Sequence, residues 1–125
     1  MVQPQRTITK EQHDRLVSFL KASGPPHSTA VRHAQGNLES RQYADQIAAA
    51  IVDSGWTVNP RPIFLIELRV TVGVSILVND VKHAPACAVT LQQALKAINI
   101  DAPGENADFK PTANEPCEIA VGAQK

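Results

Sequence analysis

Side chains that ionise, ligate or attack are few in this chain and widely spaced. Cys87 stands four residues after His83, the spacing that puts two ligands on one face of a helix. Zinc needs three or four ligands, and no Cys-x-x-Cys or His-x-x-x-His completes the set; His13, His27 and His33 are scattered along the first third of the sequence. Two cysteines, Cys87 and Cys117, make no disulfide framework, and they read as two buried thiols. A nucleophilic Cys87 would need a base and electropositive surroundings, whereas its place between Ala84 and Leu91 puts it on an apolar helical stripe. No Gly-x-Ser-x-Gly elbow is present. The sequence therefore predicts no catalytic residue, no metal, no cofactor and no enzyme.

Two turns are better candidates for binding than for catalysis. Gly36 and Asn37 lead into a helix, with Arg32, Ser40 and Arg41 close by in sequence. Free N–H groups at a helix start attract anions, and an arginine adds bidentate hydrogen bonds to a phosphate or carboxylate. One glycine satisfies neither a dinucleotide fingerprint nor a P-loop, and Asn37 and Ser40 are equally good helix caps. The second turn, Asn79-Asp80-Val81-Lys82-His83, also feeds a helix, so Asn79 and Lys82 join the candidate set. In a parallel sheet the two turns share one end and make a crevice; in a ferredoxin-like sheet they lie at opposite ends.

The elements follow from periodicity and punctuation. Thr9-Lys10-Glu11-Gln12 is a capping box preceded by Ile8, and Gly24 followed by Pro25 and Pro26 stops the helix, giving Lys10 to Ala22. Ser28 to Ala34 reads as a strand. Tyr43, Ile47, Ala50 and Ile51 mark a second helix that ends at Ser54-Gly55, and Trp56 opens an extended segment closed by Pro60 and Pro62. From Glu67 to Val78 apolar residues alternate: Leu68, Val70, Val72, Val74, Ile76 and Val78 on one face, with Glu67, Arg69, Thr71 and Ser75 on the other. Such alternation predicts a sheet with one open face, and Gly73 is the place for a bend. Pro85 to Ile98 reads as a third helix, Asp101 to Pro116 as a loop, and Cys117 to Val121 as a last strand.

At 125 residues the chain makes one domain, with 1–26 an N-terminal helical segment and 27–125 the α/β core. The order predicts an α+β fold, an N-terminal helix plus a ferredoxin-like β-α-β-β-α-β sandwich, with a small Rossmann-like open parallel sheet as the alternative. The 43% apolar and 19% charged fractions are those of a folding chain. Twelve basic against 12 acidic residues, without like-charge runs, leave no footprint for nucleic acid. The apolar stretch from Ile63 to Val78 carries Glu67 and Arg69 and is too short to insert in a membrane. A soluble, cytoplasmic chain is the expectation.

Several segments carry a resemblance: Arg6-Thr7-Ile8-Thr9-Lys10-Glu11-Gln12, Glu39-Ser40 leading into Ala44-Asp45-Gln46-Ile47, Asp53-Ser54-Gly55-Trp56-Thr57-Val58, Gly73-Val74-Ser75-Ile76, Leu91-Gln92-Gln93-Ala94-Leu95 and Ile119-Ala120-Val121-Gly122. The chain resembles a soluble domain of uncharacterised bacterial proteins that are often membrane-anchored. The resemblance implies no activity and no site residue, and it makes the soluble part of an anchored protein the other possible setting. The expected function is a non-enzymatic protein-interaction or sensing module, self-associating as a homodimer or binding a protein partner through the Glu67, Arg69, Thr71 and Ser75 face. The alternative is a binder of a small anionic or nucleotide-like ligand at the helix starts near Asn37 and Lys82.

Overall fold

A computed structural model describes residues 5–34, 36–63, 73–106 and 117–122, with 60–63 described by backbone alone. Along it run α1 (Lys10–Ala22), β1 (Ser28–Ala34), α2 (Leu38–Asp53), β2 (Thr57–Ile63), β3 (Val74–Val78), a single 3-10 turn (Val81–His83), α3 (Ala86–Ala97), β4 (Gly104–Asn106) and β5 (Cys117–Val121). The fold is mixed α/β, with three helices and a five-stranded mixed sheet among the described residues. Local chemistry explains two of the helix starts. The Thr9 hydroxyl accepts from the Gln12 N–H while Gln12 Oε1 accepts from the Thr9 N–H, and Asn37 Oδ1 accepts from the Ser40 N–H. Asn99, at φ 67°, takes the left-handed conformation that Asn tolerates and ends α3.

The strand order is β2-β1-β5-β3-β4. β1 pairs in parallel with β2 and β5, β3 in parallel with β4, and β5 joins the two halves through an antiparallel ladder to β3. Both βαβ units are therefore unsplit, with the crossover strands direct neighbours, and they run in opposite directions. The ferredoxin-like order is not reproduced among the described residues, because that fold places a strand between the two strands of each unit. Nor is the sheet all parallel, since β3 opposes β5. Hydrophobic period alone reports strand and helix, and both topologies satisfy it.

One face of the sheet carries Val31, Val74, Ile76, Val78, Cys117, Ile119 and Val121, which join residues of α2 and α3 in one core. α1 lies outside those two helices and seals them with Leu16 and Leu20, each side chain contributing about 1.5–3 kcal/mol by burial. Polar ties fix it there: Gln12 Nε2 donates to the Ile98 carbonyl at 2.9 Å, and His13 Nε2 meets Asp53 Oδ2 at 2.8 Å. Arg6 reaches across to α2, where its N–H, Nε and Nη2 all donate to Glu39 and its guanidinium stacks 4.7 Å from the centre of the Tyr43 ring. Arg6 Nη2 also donates to the Gly122 carbonyl at the end of β5.

The other face of the sheet differs from the open face that alternation suggested. Ser75, Leu77, Ala30, Ala120 and Glu118 on that side are each at most 1% exposed. Polar residues are present there because they are satisfied in the interior: Glu118 Oε2 accepts from Arg32 Nε at 2.6 Å across the β1–β5 ladder. Alternation of residue type is thus not alternation of solvent. One smaller departure lies at the sheet edge. Part of the expected Asp101–Pro116 loop, Gly104–Asn106, pairs with β3 as an edge strand too short for periodicity to reveal. Of the expected Glu67–Val78 strand, Val74–Val78 forms β3, and Glu67 to Val72 lie outside the described residues.

Candidate functional site

The polar turn after β3 is built by its own side chains. Asp80 accepts from the Lys82 N–H through Oδ1 at 2.9 Å and meets His83 Nδ1 through Oδ2 at 2.9 Å, closing the 3-10 turn. The His83 hydrogen bond, with the Lys82 N–H second, holds the Asp80 carboxyl below its ordinary range. Asn106 Oδ1 accepts from the Val81 N–H at 2.8 Å, tying the turn to β4. Val81 is held outward between these contacts at 42% exposure. Across from it, Val89 projects from the flank of α3 at 43% exposure.

These two valines line the same cavity, of about 220 Å³, in the angle between α3 and the β3–β4 edge. Ile76, Val78 and Ala88 are its buried lining, with Ala84, Gln92 and Gly104 completing the wall. Gln92 Nε2 donates to the Ala102 carbonyl at 3.1 Å and thereby braces α3 against the approach to β4. Gly104 supplies space: a Cβ there would lie 3.9 Å from Val81 Cγ1, an ordinary contact that would narrow the mouth. Pockets for whole drug-sized ligands run roughly 300–1,000 Å³. This one is the size of a single side chain or a small apolar group.

The sheet ends at β2 on one side and β4 on the other among the described residues. β2 carries Pro60 and Pro62, which have no N–H to offer a further strand. β4 has no proline, so the cleft lies beside the edge that keeps its backbone donors.

The sequence-derived anion set divides. Gly36 (φ 79°), Asn37 and Arg41 line a cavity of about 400 Å³ with His33 and Leu38, and Arg41 makes no ion pair among the described residues. Ser40 is fully buried and donates its hydroxyl to the Gly122 carbonyl at 2.8 Å, a structural role beside the Asn37 cap. Arg32 points to the sheet face away from the helices, where it holds Glu118. Asn79 and Lys82 follow β3, which runs opposite to β1 and β5, so they lie at the other end of the sheet. No composite crevice joins the two turns. Of the proposed interaction face, Glu67, Arg69 and Thr71 fall outside the described residues, and Ser75 is 1% exposed and unavailable for docking as drawn.

The cysteines are corrected as well: Cys87 and Cys117 form a disulfide with Cα atoms 6.4 Å apart. Thirty residues of sequence hid a contact between α3 and β5 that only topology creates. Among the described residues no group of three His, Cys, Asp or Glu could hold a metal ion, and no helix is long and apolar enough to cross a membrane. Sequence reasoning also missed Val81 and Val89. The signal was there in part, since Val81 is the lone apolar residue of a polar turn and Val89 falls beside the Ala88, Leu91, Leu95 stripe. No protein-family model, curated protein or solved structure matches the chain.

Proposed function

We propose that the chain is a protein-interaction module that takes an extended segment of a partner along β4, with one branched aliphatic side chain of that segment seated in the cleft. The observation that carries this reading is the convergence of two of the four large hydrophobic residues exposed among the described residues, Val81 and Val89, on one cavity beside a strand that ends the described sheet and carries no proline. Strand addition supplies backbone hydrogen bonds and a side-chain socket supplies selectivity. β4 is only three residues long, so most of the affinity falls to the socket. Self-association through the sheet face gives way to this edge, because Ser75 is buried. Kinship with a domain of membrane-anchored bacterial proteins belongs to the same proposal.

Titration with a capped, leucine-centred pentapeptide of β-branched residues, followed by amide NMR, tests it. Shifts should cluster at Val81, Val89 and Gly104 and vanish in Val89→Asp, whose exposed position leaves the core intact. Absence of any cleft shift at millimolar peptide defeats the reading. A second reading, an anionic ligand at Gly36, Asn37 and Arg41, is supported by Arg41, which lines the cavity beside the helix start and makes no ion pair among the described residues. Inorganic phosphate or a nucleotide should then raise the melting temperature, and Arg41→Ala should abolish the rise.

A further inference from the structure

α1 and α2 each begin on a side-chain cap, Thr9 and Asn37, whereas α3 begins at Pro85 with no side-chain cap hydrogen bond. What holds the first turn of α3 is covalent: Cys87 is bonded to Cys117, the first residue of the central strand β5. Cys87 adjoins Ala88 in the cleft wall, and the loop closed by the bond, 30 residues in sequence separation, contains Ala88, Val89, Gln92 and Gly104. Cys87 is 3% exposed and Cys117 is fully buried, with the Thr29 hydroxyl donating to the Cys117 carbonyl at 2.9 Å above it. Neither an oxidant nor a reductant can reach these sulfurs in the folded chain without opening it.

We infer that the Cys87–Cys117 disulfide is a condition for the docking cleft, that it forms while the chain folds, and that the protein therefore works in an oxidising compartment. The step is thiol–disulfide exchange with a disulfide oxidant: the two cysteine thiols give up two protons and two electrons, the Sγ–Sγ bond forms, and the oxidant leaves as two thiols. Such bonds persist in secreted and periplasmic settings and are rare in the cytosol. The inference replaces the cytoplasmic location read from the sequence, and its binding part rests on the cleft being the docking site.

The full chain refolded with glutathione disulfide is compared with the same chain kept reduced by a phosphine and with the Cys87→Ala/Cys117→Ala variant. Alkylation in denaturant followed by intact mass should find no free thiol in the oxidised chain, and native oxidised protein should resist the phosphine until denaturant is added. The reduced chain and the variant should melt lower by about 10 °C or more. Amides of the first turn of α3 should exchange with solvent at least tenfold faster in both, and the leucine-centred peptide should bind at least tenfold more weakly. Two alkylatable thiols after oxidative refolding overturn the inference, as do unchanged α3 exchange and an unchanged melting temperature on reduction. A variant that unfolds outright supports the staple, and the reduced wild-type chain supplies the same comparison without a substitution. If the oxidised chain ignores the peptide while thiol count, melting and exchange behave as stated, the docking reading fails and the staple stands.

Discussion

Arg32 Nε lies 2.6 Å from Glu118 Oε2, on neighbouring strands at the middle of the sheet, with the Glu118 side chain fully out of solvent. A buried carboxylate keeps its charge only where partners replace its water, so removing the arginine strips away one of the contacts that do so. Arg32→Ala is expected to cost about 3–5 kcal/mol in chemical denaturation, against well under half that for a solvent-exposed arginine such as Arg15. A loss below 1 kcal/mol, on the scale of surface ion pairs, would show that the pair is solvated in solution.

The Arg6–Glu39 pair predicts how stability changes with pH. Hydrogen bonds from the Arg6 side chain hold the Glu39 carboxyl below its ordinary range, against the opposing effect of burial. A group whose folded pKa is depressed stabilises the fold above its unfolded pKa, and this contribution is lost as pH falls through the folded pKa. Melting temperature should therefore drop on acidification from the ordinary glutamate range downward, and Glu39→Gln should flatten part of that drop while lowering stability at neutral pH. Arg6→Ala should cost about 1.5–3 kcal/mol at neutral pH, the range for hydrogen bonds to charged groups. An identical acid profile for wild type and Glu39→Gln would remove Glu39 from the account.

The elements were legible because their signals are local. The Thr9 capping box, the Asn37 cap, the Tyr43-Ile47-Ala50-Ile51 stripe and the Cys117–Val121 strand each depend on residues within a few positions, and each recurs in the structure with nearly the expected bounds. What failed was relational. That β5 inserts between β1 and β3 decides that Cys117 meets Cys87, that Arg32 meets Glu118, and that Lys82 and Arg41 lie at opposite ends of the sheet. No single segment encodes any of these. The cleft was invisible for the same reason: Val81, Val89 and Gly104 are unremarkable until β4 pairs with β3 and brings them together.

Asn37 and Arg41 sit four residues apart and can be separated by experiment. Asn37 Oδ1 caps α2, so Asn37→Ala should destabilise the chain by about 1 kcal/mol in denaturant titrations. Arg41 is exposed and without an ion pair among the described residues, so Arg41→Ala should leave stability within about 0.5 kcal/mol. If Arg41→Ala is instead the costly change, the arginine has a structural partner and the anion reading loses its cation.

Gly104 distinguishes folding from docking within the cleft itself. Its backbone is not in the left-handed region, and an added Cβ would make only an ordinary contact with Val81 Cγ1 at 3.9 Å. Glycine in a strand costs roughly 0.5–1 kcal/mol relative to alanine through the freedom it loses on folding. Gly104→Ala should therefore be neutral or stabilising. A larger, branched side chain at the same place would occupy the mouth that Val81 and Val89 frame, so Gly104→Val should keep or raise the melting temperature while weakening the leucine-centred peptide at least tenfold. Substitutions in a merely structural cavity move stability and leave no ligand to lose. A Gly104→Val chain that melts higher and binds the peptide as before would mean that the segment is recognised elsewhere on the molecule.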